Sequence, residues 1–137
     1  MEAGTKPQSV PQKLKLLIVD DEPNINDTLA IIFRTRGYTV ITANTGAEAL
    51  RHLSQEQPDL ALLDVALPDM SGIEIAIRIR AEYPNCKFLL FSGNQGTIDA
   101  LLDAKARGHD FDVLAKPIPP QELIDALKSL ASDVSSS

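Results

Sequence analysis

The sequence is short of cysteine. Cys86 is the only one among 137 residues, so an internal disulfide framework is excluded. It opens an apolar run, where a thiol ordinarily serves as a small buried hydrophobe. Runs of Lys and Arg are missing too, and the formal net charge is -6. A nucleic-acid-binding surface needs a basic face, so no nucleic acid partner is expected through this chain. No stretch approaches the roughly 18 apolar residues that span a bilayer. The first dozen residues carry no apolar signal core. No membrane association is expected, and the cytoplasm is the default location. His52 and His109 lack any neighbouring acidic or cysteine ligand pattern, so surface positions are expected for both. What is present is ordinary for one soluble domain with a real core: 44% apolar and 23% charged residues.

Between a polar N-terminal arm (residues 1–12) and a Ser-rich tail (133–137), the pattern alternates. Residues 14–19 form a short continuous apolar run, as in a strand buried on both faces. Pro23 opens a helix, with Ile25, Leu29 and Ile32 at helical spacing and Gly37 at its end. Residues 38–43 are β-branched and read as a strand. Asn44 or Thr45 can cap the next helix, which carries Ala49, Leu50 and Leu53. Residues 60–63, 86–91 and 111–115 read as three more strands. Ile98, Leu101 and Leu102 mark a helix ended by Gly108, and Leu123, Leu127 and Leu130 mark the last one. One segment conflicts with its neighbours. Ile73, Ile75, Ile77 and Ile79 alternate with period two, the pattern of a strand. The run 73–83 is long for a strand and includes Glu and Arg, and Ser71 can cap it. A buried helix is therefore the reading adopted. The order becomes (βα)5, which predicts a parallel sheet with helices on both faces.

Chemistry-bearing residues stand where these strands end. Asp20 and Asp21 follow the first, Asp64 the third, Ser92 the fourth and Lys116 the fifth. In an open α/β sheet the carboxyl ends of the strands line the ligand crevice, so distant residues can converge there. Each feature alone has an ordinary explanation. Acids before a helix favour its dipole, Ser-Gly is a common turn, and a Lys can close a strand in solvent. Together they make a coherent site. Three carboxylates in one crevice repel each other unless a cation intervenes. Oxygen ligands without His or Cys suit Mg²⁺. An ammonium and a hydroxyl add what a phosphoryl group needs for neutralisation and orientation. A central carboxylate could then act as nucleophile and form an aspartyl phosphate.

The segments Ile18-Val19-Asp20-Asp21-Glu22-Pro23, Leu62-Leu63-Asp64, Leu67-Pro68-Asp69-Met70-Ser71-Gly72, Phe91-Ser92-Gly93 and Lys116-Pro117 resemble the receiver domain of two-component response regulators. The resemblance covers residues 13–132. It implies a flavodoxin-like three-layer sandwich with strand order 2-1-3-4-5. Asp64 matches the phosphoacceptor, charged by a sensor histidine kinase or phosphotransfer protein. Asp20, Asp21, Asp64 and the backbone carbonyl of Ala66 match the Mg²⁺ ligands. Ser92 matches the switch hydroxyl and Lys116 the phosphate-pairing lysine, with a cis Lys116-Pro117 bond. On this reading the chain relays a signal by conformational change to a downstream protein, and a homodimer is compatible with it. It is no enzyme beyond self-catalysed phosphoryl acceptance and hydrolysis at Asp64. The chain would be a stand-alone receiver or a piece of a longer protein.

Two features depart from the family pattern. The family places an aromatic three residues before the lysine, and here that position holds Val113. The stretch 108–115 is also one residue longer than usual, and Phe111 is out of register by two. An altered switch is expected, with output passing through the helix of residues 96–107 or through a partner that reads the site directly. Other classes fit less well. An aspartyl-nucleophile phosphatase would carry a second Asp two residues on, where Ala66 stands. A flavin module would want a Ser/Thr/Gly-rich loop after its first strand, where acids would repel the phosphate. The alternative that remains is a phosphorylation-independent receiver-like interaction module. Labelling by a small phosphodonor would separate the two.

Overall fold

A computed structural model describes residues 13–93 and 97–135. The expected arm (1–12), residues 94–96 and the last two residues of the expected tail lie outside this range. Among the described residues, strands and helices alternate along the chain: β1 (Lys15–Val19), α1 (Pro23–Thr35), β2 (Thr39–Ala43), α2 (Gly46–Glu56), β3 (Leu60–Asp64), α3 (Gly72–Glu82), β4 (Lys87–Ser92), α4 (Thr97–Ala106), β5 (Val113–Ala115) and α5 (Pro120–Ser135). All strand pairings are parallel, in the order β2-β1-β3-β4-β5. This is the flavodoxin-like arrangement expected from the alternating pattern.

The continuous apolar runs are explained by burial on both faces. In β1, Leu17 and Val19 join a core with Ala49 and Leu53 of α2, Ile73, Ile75, Ala76 and Ile79 of α3, and Ala104 of α4. Leu16 and Ile18 face the other way, onto Ala30 and Phe33 of α1 and Leu123, Leu127 and Ala131 of α5. β3 splits likewise, Ala61 and Leu63 against Leu60 and Leu62. Period-two residues of one strand thus feed two separate cores.

The isoleucine-rich segment is a helix. Ser71 caps α3, its hydroxyl accepting from the Ile73 N–H at 3.1 Å. Both Ile73 and Ile75 are buried because α3 packs against β3 and β4 with α2 and α4 alongside. Thr45 is the cap of α2, accepting from the Glu48 N–H, while the Glu48 carboxylate accepts from the Asn44 N–H at 2.7 Å. α1 begins at Pro23, and Gly37 follows it with φ of +97°.

Several boundaries differ from expectation. β5 begins at Val113, not at residue 111, because its ladder with β4 starts at the pair Leu90↔Val113. Phe111 precedes the ladder and is held by rings. It lies 5.8 Å from Phe88 and 5.9 Å from a nearly parallel His109, with the Arg80 guanidinium 4.2 Å from its centroid. β4 starts one residue later than expected and continues to Ser92. α5 runs to Ser135, into the stretch expected as tail. His52 is only half-exposed, and its Nδ1 is buried without a protein partner. His109 is half-buried against Phe111, so neither histidine is simply a surface residue. Cys86 is buried as expected, and burial pushes its thiol pKa up to about 12. No described helix is long and apolar enough to cross a membrane.

Candidate functional site

Sheet register brings the expected residues to one edge. Val19 pairs with Leu63, so Asp20 and Asp64 leave adjacent strands at the same level. Asp64 pairs with Phe91, and Ser92 with Ala115, which places Ser92 and Lys116 at the ends of the next two strands. Carboxylate oxygens of Asp20, Asp21 and Asp64 lie within 4.8 Å of one another. Asp20 is fully buried, Asp64 is 3% exposed and Asp21 is exposed to solvent.

The Lys116 ammonium closes the group. It donates to Asp20 Oδ2 at 2.8 Å and to Asp64 Oδ2 at 3.3 Å, and lies 4.5 Å from the centroid of the Phe91 ring. The Lys116-Pro117 bond is cis. Burial works against this ammonium, but the hydrogen bond to Asp20 and the charges of Asp64 and Asp20 outweigh it, and the net shift of its pKa is upward. Asp64 shows the opposite balance. Burial raises its carboxyl to about 6. The Lys116 charge and the Ala66 N–H, donating to Oδ1 at 3.1 Å, only partly oppose that rise, and the Asp20 charge adds to it. The Asp64 carboxylate is therefore only partly neutralised by Lys116, a condition in which a hard cation at an oxygen site is favoured.

Further polar groups fix the loops around the site. Asn26 of α1 is buried, and its Nδ2 donates to the carbonyls of Asp20 (2.9 Å) and Ala43 (3.0 Å). Asn44 Nδ2 also reaches the Asp20 carbonyl, at 3.1 Å. The Asp69 carboxylate accepts from the N–H groups of Gly46 and Ala47 at the start of α2, which holds its pKa below the usual range. Thr97, the first residue of α4, is buried with its hydroxyl bonded to that of Ser92. The sequence offered a weak signal for each: Asn, Asp or Thr beside a helix start or loop. Val113 lies in β5, half-buried against the core shared with α3 and α4.

Comparison with known proteins agrees with the geometry. The response regulator receiver domain matches residues 16–128. The alkaline phosphatase synthesis transcriptional regulatory protein PhoP of Bacillus subtilis is 34% identical over 116 residues, 85% of this chain and 48% of its own. Sporulation initiation phosphotransferase F of the same organism is 36% identical over 114 residues, covering 83% of this chain and 90% of its own. Among solved structures, the response regulator TrrA of Thermotoga maritima, in complex with Mg²⁺-BeF, superposes with a TM-score of 0.73 at 32% identity. That match covers 85% of this chain and 98% of the other. The chain spans about half the length of the transcriptional regulators it matches.

Proposed function

The chain belongs to the receiver domain family of two-component response regulators, and from that premise we propose that Asp64 is its phosphoacceptor. The observation that carries this reading is the convergence of Asp20, Asp21 and Asp64 with the Lys116 ammonium between two of them. A carboxyl raised to about 6 is still mostly ionised at pH 7, so Asp64 is a competent nucleophile there. One of its oxygens attacks the phosphorus of a phosphohistidine on a kinase or phosphotransfer protein. The P–N bond breaks, the imidazole leaves with the electron pair, and an acyl phosphate forms on Asp64. Later, water attacks that phosphorus, releases inorganic phosphate and restores the carboxylate.

Asp20, Asp21 and Asp64 cluster as oxygen donors with no His or Cys among them, which suits Mg²⁺, and the Ala66 carbonyl would add a fourth oxygen. Bound there, Mg²⁺ would supply neutralisation of the phosphoryl oxygens and of the acidic cluster. Lys116 pairs with the phosphoryl oxygens once they arrive, and Ser92 offers them a hydroxyl. The protein works in the cytoplasm, reads a kinase through this edge of the sheet and passes its state to a protein partner, with no nucleic acid bound by this domain.

The test is labelling by acetyl phosphate, with Mg²⁺ and with EDTA, in wild type and Asp64→Asn. Labelling is expected only in wild type with Mg²⁺. Equal labelling of the variant, or full labelling in EDTA, refutes the assignment. No labelling of any form would favour the phosphorylation-independent interaction module.

A further inference from the structure

We propose that Thr97 is a positioning residue that couples the state of Asp64 to helix α4 through the hydroxyl of Ser92. The inference rests on Asp64 being the phosphoacceptor and deepens that reading by naming the link that carries its output.

The two hydroxyls touch and are both buried, at 6% and 8% exposure. Ser92 is the last residue of β4, and its carbonyl accepts from the Lys116 N–H at 2.9 Å, so its backbone is tied to the site. Thr97 is the first residue of α4. The pair therefore joins the end of a central strand to the start of a helix.

A hydroxyl has one proton to give. Between Ser92 and Thr97 either oxygen can be the donor. A phosphoryl group on Asp64 presents acceptor oxygens only. Once Ser92 donates to it, Ser92 can meet Thr97 only as acceptor, and Thr97 must donate. Phosphorylation thus sets the polarity of the pair. To donate to the phosphoryl oxygens the Ser92 hydroxyl turns toward Asp64, and the short Thr97 side chain, held to it by the hydrogen bond, follows by moving the helix turn that carries it. That turn has room to move. Thr97 and Ala100 line a shallow cavity shared with Val65, Ala66 and Met70 from the loop that follows β3.

The route through an aromatic ring is closed here. Val113 cannot form a hydrogen bond, and Phe111 is engaged with Phe88, His109 and Arg80. Ser92–Thr97 supplies the polar connection instead.

The experiment compares wild type, Thr97→Val and Thr97→Ser as full chains. Amide chemical shifts of residues 98–107 are recorded with and without Mg²⁺ and beryllofluoride, and Asp64 labelling by acetyl phosphate is timed. Thr97→Val keeps the branched shape and removes the hydroxyl. It should lose more than about half of the α4 response while labelling stays within about threefold of wild type. Thr97→Ser, which keeps the hydroxyl, should restore the response, and it is the milder change should valine disturb folding. A wild-type α4 response in Thr97→Val, or a response in Thr97→Ser as weak as in Thr97→Val, overturns the proposal. Absence of labelling in wild type overturns the phosphoacceptor reading itself, a failure seen without either variant.

Discussion

Gly72 lies against the main chain of Asp64: a Cβ built on Gly72 would stand 2.1 Å from the Asp64 carbonyl oxygen. Its N–H donates to the Val65 carbonyl at 2.9 Å, and Ala66 and Ser71 form an isolated antiparallel bridge beside it. The loop after β3 is thereby folded back onto the strand end that presents the carboxylate. Gly72→Ala should destabilise the protein by roughly 3 kcal/mol, because the atom it meets is backbone and cannot swing aside. A urea midpoint equal to that of wild type would show that the loop yields more easily than this contact implies.

Asp64 should make stability fall as pH rises. Its folded pKa is raised to about 6 from 3.8. Folding therefore favours the protonated form, and the associated stability is complete below about pH 4 and is lost as pH climbs through 6. Asn imitates the neutral acid. Asp64→Asn should match wild type near pH 4 and exceed it by about 1–3 kcal/mol above pH 7 in the absence of Mg²⁺. Thermal melts across that range provide the check. A gap that is constant with pH would mean that the carboxyl is not strained by burial.

The fold was legible because each strand carries its signal locally. The run Leu16, Leu17, Ile18 and Val19 has the pattern of a strand covered on both sides, and it forms one. The site was legible because the strand ends hold chemistry-bearing residues, and register aligns them. Helix α3 was the hard case. Ile73, Ile75, Ile77 and Ile79 have a strand's period, yet burial under neighbouring helices widens the apolar face of a helix until the period blurs. The hydrophobicity of Phe111 suggests a place in β5, but ring and guanidinium contacts from β4 and α3 hold it outside the ladder. Thr97 and Asn26 were missed because what marks them is tertiary. A polar residue at a helix start is common, and only packing shows that these two are buried against the site.

Mg²⁺ should stabilise the folded chain by mass action. At ten times its dissociation constant the gain is about 1.4 kcal/mol, and EDTA should remove it. Asp21 is the exposed member of the acidic cluster, so Asp21→Asn is the milder substitution to make. It should abolish most of the Mg²⁺-dependent rise in melting temperature. An undiminished rise would place the ion elsewhere.

Lys116 should matter more for the phosphorylated state than for the metal. Its ammonium already competes for Asp20 and Asp64. Lys116→Ala should therefore leave Mg²⁺ affinity within about tenfold of wild type, or raise it. It should also weaken the change in partner binding or amide shifts on phosphorylation. Isothermal titration with Mg²⁺ measures the first effect, and a large loss of affinity there would contradict this division of labour.

Phosphorylation should move α4 more than β5. Val113 is half-buried against the core and β-branched, with too little reach to swing between exposed and buried positions. Phe111 has the reach, but it lies two residues from the switch position and its ring is occupied by Arg80, Phe88 and His109. Beryllofluoride with Mg²⁺ should therefore shift the amides of residues 97–107 more than those of 111–115. Phe111→Ala sharpens the test. It should destabilise by about 3 kcal/mol as a buried aromatic, yet leave the α4 response in place, because the ring holds the fold and carries no signal. Dominant shifts at Val113 and its strand, or an α4 response lost with the Phe111 ring, would show that the aromatic route survives in another form.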